Sequence, residues 1–329
     1  MSELPIEGGV LLPSDVPTVC DSPGADVVRT RGSDDPTAGG HLHWAPVGAA
    51  SSTRRLRVLV DHLDDLRPDG VVVDVSVETL LACRLAGVPT IAVRQHGDRS
   101  DPAHRLGYAT ARRLIAPFPV ELDDSRDEEL LARTTHVGFV RPTDASTPTP
   151  GSRVDRAGLR DVGPDDVGPD DVVVLWGRGG GHLSGRSIDA VADAVTGRVV
   201  CVGTGIWTDG DGPSSERVVD LGWVDDPDSL LAGRPVVIAS CGNNVVAAVA
   251  ATGCPYVAVP QDRPFDEQRV LADALVRCGV ASLRPDADDA GAWADAISAA
   301  RRRRDRWSVF ADRFDGATVA AETILRTFA

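Results

Sequence analysis

The 329-residue sequence has no lysine, one methionine and only 4% aromatic residues. With so few rings, its 42% hydrophobic content must build cores from Val, Leu, Ala and Ile, a palette suited to parallel sheets covered by helices. Without lysine there can be no GxxxxGK[ST] phosphate loop. The basic side chains are all Arg, 34 of them against 49 Asp and Glu, for a net charge of −15. So acidic a chain repels phosphate backbones, which excludes general nucleic-acid binding. One small anionic ligand remains compatible, because backbone N–H groups and a few Arg bind it locally. Cys20, Cys83, Cys201, Cys241, Cys254 and Cys278 are widely spread without a CxxC pair. That argues against a disulfide scaffold or a zinc site and for buried thiols in a reducing cytoplasm. No apolar run approaches the ~18 residues of a membrane span. The start, MSELPIEGG, has neither the basic region nor the apolar stretch of a signal peptide. The expected location is cytoplasmic. Arg301 to Arg304 would give at most peripheral membrane contact and fit a solvated helix face equally well.

From about residue 68, short apolar runs alternate with longer amphipathic ones. Gly70 to Asp74 reads as a buried strand, Val77 to Ala86 as a helix closed by Gly87, and Pro89 to Val93 as the next strand. Residues 141–171 break the rhythm with Pro, Asp, Gly, Thr and Ser, and carry the tandem repeat Val162-Gly-Pro-Asp-Asp, Val167-Gly-Pro-Asp-Asp. Such a polar duplication is a linker signature. The expected division is a domain over 1–150, a linker over 151–171, a second domain over 172–304, and C-terminal helices over 305–329 docking back toward the first domain. The second domain repeats βα units from Val172 to Leu283, a doubly wound sheet of five or six strands. In the first 50 residues no opening strand, glycine turn and helix is visible. Either the first domain is atypical, or the chain begins after that domain's natural first unit.

Three strand-to-helix turns of the second domain carry chemistry. Trp176-Gly-Arg-Gly-Gly-Gly-His182 allows a backbone to approach a phosphate, with free N–H groups on the following helix and Arg178 and His182 as charged donors. Ser240-Cys-Gly-Asn-Asn244 could face the same crevice or simply cap its helix. Pro260 to Gln268 places acidic and amide side chains at a helix start, where they suit sugar hydroxyls or capping. The spacing is not GxGxxG, which sets a nicotinamide-dependent oxidoreductase aside.

Ser240 to Ala281, with Gly253-Cys-Pro255 and Asp266-Glu-Gln268, resembles the C-terminal domain of family 28 glycosyltransferases. A less characterised bacterial branch is nearer still, marked by Arg263-Pro-Phe-Asp-Glu-Gln268, Asp35-Pro-Thr-Ala38, Leu42-His-Trp44, Val73-Asp-Val-Ser-Val-Glu78 and Gly97-Asp-Arg-Ser-Asp-Pro-Ala-His104. The resemblance implies a GT-B fold: two Rossmann-like doubly wound domains facing a cleft, nucleoside-diphosphate sugar on the C-terminal side and acceptor on the N-terminal side. It implies no metal and no cofactor beyond the nucleotide-sugar substrate, a UDP-linked donor, and an acceptor left unnamed. Carried over position by position, Gly179, Gly180, Gly181 and His182, with Arg178 beside them, would face the diphosphate. Gly242 and Asn243 would form the second phosphate-facing turn, and Glu267 and Gln268 would face the sugar. Ala248 stands where the family carries a ribose-gripping Glu, and the family's His- and Gly-rich loop after the first strand is not found. Asp74, at a strand end, and His96, in a loop bordering the acceptor side, are the candidates for the base, with Glu78 and His104 nearby; capping and local hydrogen bonding are the bland alternatives. His41 and His43 beside Trp44 could stack on a sugar or pack. A non-catalytic nucleotide-sugar-binding protein is the alternative function.

Overall fold

The computed structural model describes residues 35–141, 167–177, 183–203, 207, 212–224 and 226–329. Two parallel sheets organise the chain. In the first, β1 (Val71–Asp74), β2 (Thr90–Val93), β3 (Arg113–Ala116) and β4 (Thr134–His136) lie side by side in chain order. In the second, β5 (Val172–Trp176), β6 (Val199–Gly203), β7 (Val218–Gly222), β8 (Val236–Ala239), β9 (Tyr256–Ala258) and β10 (Ala281–Leu283) take the order β10-β9-β8-β5-β6-β7. The order reverses between β5 and β8, which makes this a complete doubly wound sheet with a switch point there. The first sheet has no reversal among the described residues, and β1 forms its edge with Val72 41% exposed.

Every residue of β5, β6 and β8 is buried, as continuous apolar runs in a two-sided parallel sheet should be. Local signals set the helices. Ser76 caps α2 (Val77–Leu85) by accepting from Thr79 N–H at 3.2 Å. Gly253, at φ 67°, closes α6 (Asn243–Thr252) in the left-handed region. Among the elements not expected are two with no strong local signal. Helix α1 (Ala50–Leu66) buries only Leu63, and β4 is Thr-Thr-His, so neither has the apolar run that announces an element. Of the described cysteines, Cys201 and Cys241 are buried deeply enough that desolvation pushes their thiols up to about 12, so both stay protonated and inert.

The chain end ties the two sheets together. Trp307 and Phe310 are buried against the second sheet's core, and Trp307 Nε1 donates to the Cys254 carbonyl at 2.9 Å. Helix α9 (Gly316–Phe328) then lays Val319, Ala320, Ile324 and Phe328 on Ile91, Ile115 and Val137 of the first sheet. Each of these four is partly buried, so each recovers a fraction of the roughly 1.5–3 kcal/mol of full burial. Arg301 and Arg303 donate to the carbonyls of Asp170 and Ala299. No helix of the described residues is long and apolar enough to cross a membrane.

Candidate functional site

The loops after β1 and β2 meet those after β8 and β9. The Asn243 amide, in the first turn of α6, donates to Gln95 Oε1 at 2.9 Å, and Gln95 Nε2 donates to Asp74 Oδ1 at 3.3 Å. Asp98 N–H donates to the Phe265 carbonyl at 3.0 Å. Gly97 sits at φ 98°, and a Cβ built on it would lie 2.2 Å from that same carbonyl oxygen. Only glycine fits there. Gly97→Ala is expected to cost about 2 kcal/mol through the clash and the left-handed backbone, read as a lower urea midpoint. Val75, Phe265 and Asp266 also hold positive φ, at 68°, 63° and 54°. For a β-branched residue such as Val75 this is a strained conformation, and strain of this kind gathers at functional sites.

A polar cluster fills the same seam. The Arg99 side chain is 6% exposed and donates to Glu267 Oε2 at 2.9 Å and to the His96 carbonyl at 3.1 Å. Its Nη1 lies 3.2 Å from His104 Nε2. A guanidinium has no acceptor, so Nε2 must accept and the His104 proton sits on Nδ1. From there it is donated to Asp101 Oδ2 at 2.5 Å. Asp101 also caps α3 (Pro102–Thr110), taking the His104 N–H at 3.1 Å. Its Oδ1 stands 3.4 Å from the buried Nε2 of His43, a charge contact without hydrogen-bond geometry. Glu78 Oε1 fixes the loop that brings His43 in, accepting from His43 and Trp44 N–H at 2.7 and 3.0 Å. The His43 and His104 rings are 4.4 Å apart, the Phe265 edge meets His104 at 4.7 Å, and Arg99 stacks on Phe265 at 4.6 Å.

Burial pulls the His104 imidazole below its ordinary pKa against the pull of Asp101. Burial alone would raise Asp101, but the side-chain and backbone bonds from His104 hold it low, so it stays a carboxylate. Burial pushes Glu267 up, opposed by Arg99. His43, Asp101 and His104 offer donor atoms within 4.8 Å of one another, close enough for a metal. Arg99 opposes that use: it occupies His104 Nε2 and sets a fixed positive charge beside the cluster. The arrangement suits a hydrogen-bonded relay better than a cation cage.

No family model matches the chain. In sequence it is 28% identical over 242 residues to a UDP-N-acetylglucosamine–N-acetylmuramyl-(pentapeptide) pyrophosphoryl-undecaprenol N-acetylglucosamine transferase from a Nocardioides species, a match that takes in 70% of this chain and 63% of that one. The chain thus spans just under two thirds of that relative's length. In structure it superposes on the glycotransferase of kitacinnamycin with a TM-score of 0.60 at 17% identity, covering 84% of this chain and 80% of that one. Spinosyn rhamnosyltransferase SpnG complexed with thymidine diphosphate matches at 0.57 and 17%, over 88% and 80%. A UDP-glucosyltransferase from Polygonum tinctorium matches at 0.60 and 15%, over 86% and 83%.

The chain has the GT-B fold. Its sequence resemblance to family 28 agrees with the Nocardioides relative. Of the residues expected to serve the GT-B cleft, Gly242, Asn243, Glu267 and Asp74 lie along the seam between the two sheets. Arg178, Gly179, Gly180, Gly181 and His182 lie outside the described residues. Gln268 and His96 do not face an open crevice. Gln268 is 5% exposed, and its Oε1 accepts from Cys241 and Gln261 N–H, both at 3.0 Å, pinning the two donor-side loops together. His96 is 3% exposed and stacked on Phe118 at 3.7 Å, beneath its loop rather than on it. Burial lowers its pKa to about 3, so it is neutral and out of reach of an acceptor hydroxyl.

His43 and Asp101, by contrast, meet in the polar cluster of the seam. In the sequence His43 reads as a stacking or packing residue, and Asp101 carries no assigned role. The spacing Asp101-Pro-Ala-His104 held the signal, because an N-cap carboxylate three residues before a His can take both its backbone and its ring N–H. Trp223, 45% exposed just past β7, puts an aromatic surface at the C-terminal rim of the second sheet. A cavity of about 740 Å³ opens beside Arg99 on the N-terminal side, walled by Arg105, Tyr108, Arg126, Leu130 and Val270.

Proposed function

We propose that the chain transfers a sugar from a nucleoside-diphosphate sugar, UDP-linked, to an acceptor hydroxyl without a metal. The observation that carries this reading is the meeting, in one seam, of an uncapped helix N-terminus, Glu267 and a carboxylate-held histidine. The α6 N-terminus has Gly242 at its cap with no side chain taking the free N–H groups, so it suits the diphosphate. Glu267 suits the sugar hydroxyls. His43, beside the Asp101 carboxylate, takes the acceptor proton as the acceptor oxygen bonds to the sugar's anomeric carbon. The bond from that carbon to the diphosphate breaks, and the diphosphate leaves with its electron pair onto the helix N–H groups. The acceptor enters from the cavity beside Arg99. The relative's name specifies a UDP-linked donor, and SpnG was solved with a nucleoside diphosphate, which supports the donor class.

One observation favours a second reading, binding without transfer. Ala248, at the position of the ribose-gripping Glu, is 8% exposed and part of the core, so no carboxylate serves a ribose from there. Transfer from UDP-N-acetylglucosamine to any supplied hydroxyl excludes that reading.

Gly242→Asp tests the donor site. Gly242 has φ −82° and open space around its Cβ position, so Asp fits without strain. Asp is also the better cap, so Tm should hold or rise by a few tenths of a kcal/mol in stability terms. The same carboxylate occupies and repels the anion site, so affinity for UDP-N-acetylglucosamine should fall by about 100-fold, measured by calorimetry. Unchanged binding in this variant removes α6 from the donor site.

A further inference from the structure

We propose that Arg99 is a positioning residue that anchors the histidine cluster of the acceptor side through His104 Nε2 and locks it to Glu267 on the donor side. The proposal rests on the transferase reading for its meaning, and on the geometry alone for its truth. Arg99 belongs to the first sheet's β2 loop, yet its guanidinium spans the seam. One nitrogen meets Glu267 of α7 (Glu267–Arg277), a second meets His104 Nε2, and Nε holds the His96 carbonyl. Phe265 covers its face at 4.6 Å. With three partners and 6% exposure, the group has no freedom to turn toward substrate.

Each bond has a consequence. Because Arg99 can only donate, His104 must accept on Nε2 and carry its proton on Nδ1. That proton goes to Asp101 Oδ2, while Oδ1 takes the His104 backbone N–H and stands 3.4 Å from His43 Nε2. Were Arg99 absent, His104 Nε2 would be buried without a partner, and the His104–Asp101 pair would lose its anchor to the donor side. The charged and titratable groups facing His104 are Asp101, Arg99 and His43, with the Tyr108 and Phe265 rings completing its surroundings. The opposite nitrogen of Arg99 fixes one oxygen of Glu267. The base-side relay and the donor-side carboxylate are therefore set by one rigid fork, which forms only while the two sheets are together.

Long-range nitrogen–proton NMR of the imidazoles reads the lock directly, with His104→Asn identifying the His104 signals. In the unmutated protein near neutral pH, His104 should be protonated on Nδ1 and bare on Nε2. In Arg99→Met the Asp101 carboxylate still takes the Nδ1 proton, so the tautomer should hold, while the His104 pKa rises and the Kd for UDP-N-acetylglucosamine weakens about tenfold. Glu267→Gln, which leaves Arg99 on His104, should weaken the same Kd and leave the tautomer alone. An unmutated His104 protonated on Nε2 overturns the proposal, as does a folded Arg99→Met with His104 pKa and Kd both unchanged. Should Arg99→Met not fold, Arg99→Lys decides: one ammonium cannot hold His104 and Glu267 in the same fork, so retention of both properties also overturns it. The His104 pKa does not depend on sugar transfer. If the unmutated protein fails to bind UDP-N-acetylglucosamine, the transferase reading falls while the His104 pKa still judges Arg99.

Discussion

Asp123→Ala is expected to lower the unfolding free energy by about 3–5 kcal/mol, the cost of stranding a buried charge. Asp123 follows a short 3-10 turn (Val120–Leu122) after β3, and Arg94 directly follows β2. Their side chains are 4% and 5% exposed, and Arg94 donates to both carboxylate oxygens, at 2.6 and 2.5 Å. His136, at the end of β4, meets Asp123 Oδ2 at 2.6 Å. One carboxylate thus ties the C-terminal ends of three neighbouring strands. Burial alone would raise its pKa, but the bonds from His136 and Arg94 outweigh that and hold it well below the usual carboxylate range. Alanine removes the anion and leaves a guanidinium that cannot shed its proton. Urea unfolding should show the loss as a lower midpoint at constant slope. Pairing the change with Arg94→Ala should make the double variant several kcal/mol more stable than the two single losses added together. A loss below about 1 kcal/mol for Asp123→Ala would mean the pair is solvated. Added salt should change little, because the pair is out of water.

The same pair matters to the cleft, since the loop carrying Gln95, Gly97, Arg99 and Asp101 leaves β2 at Arg94. That link was not legible in the sequence. Arg94, Asp123 and His136 are scattered over three βα units, and nothing local marks them as partners. The parallel architecture was legible because β5, β6 and β8 are unbroken apolar runs with turn residues at their ends. The donor-side seam was partly legible, because glycine and amide residues between strand and helix have few other uses: Gly242, Asn243 and Glu267 lie on it. The direction of the Gln268 side chain was not legible, and its amide oxygen turns inward to serve two backbone N–H groups. On the N-terminal side, each quoted segment had a plausible bland role alone. Their chemistry appears only when Glu78 pins His43, Asp101 holds His104, and Phe265 and Glu267 arrive from the other sheet. Assembly across more than 150 residues of chain is a property of topology, which local pattern does not encode.

His96 carries the last expected result, a steep loss of stability in acid. In the folded chain its imidazole is 3% exposed, lies on Phe118, and has Nε2 buried without a hydrogen-bond partner among the described residues. Desolvation disfavours the imidazolium; Asp123 favours it, but Arg94 and Arg99 repel it, and its pKa falls to about 3. In the unfolded chain the value is about 6.5. Above pH ~6.5 both states are neutral and His96 contributes no pH dependence. As pH falls from there, the unfolded state takes up a proton that the folded state refuses, and stability drops by about 1.4 kcal/mol per unit until the folded ring also titrates near pH 3. The full penalty is of order 4–5 kcal/mol, a large share of an ordinary domain's stability. Asp123 acts in a separate window: its stabilisation is intact above the ordinary carboxylate pKa of about 3.9 and fades only below it, so the first part of the acid limb belongs to His96 and to the other burial-lowered imidazole, His104. His96→Leu separates the two. It fills similar space, removes the unpaired nitrogen, and keeps the backbone carbonyl that Arg99 uses. Urea midpoints measured from neutral to mildly acidic pH should fall steeply for the unmutated protein and less steeply for His96→Leu, in which the buried His104 still contributes. Equal slopes for the two proteins would place the His96 ring in water and restore it as a candidate base.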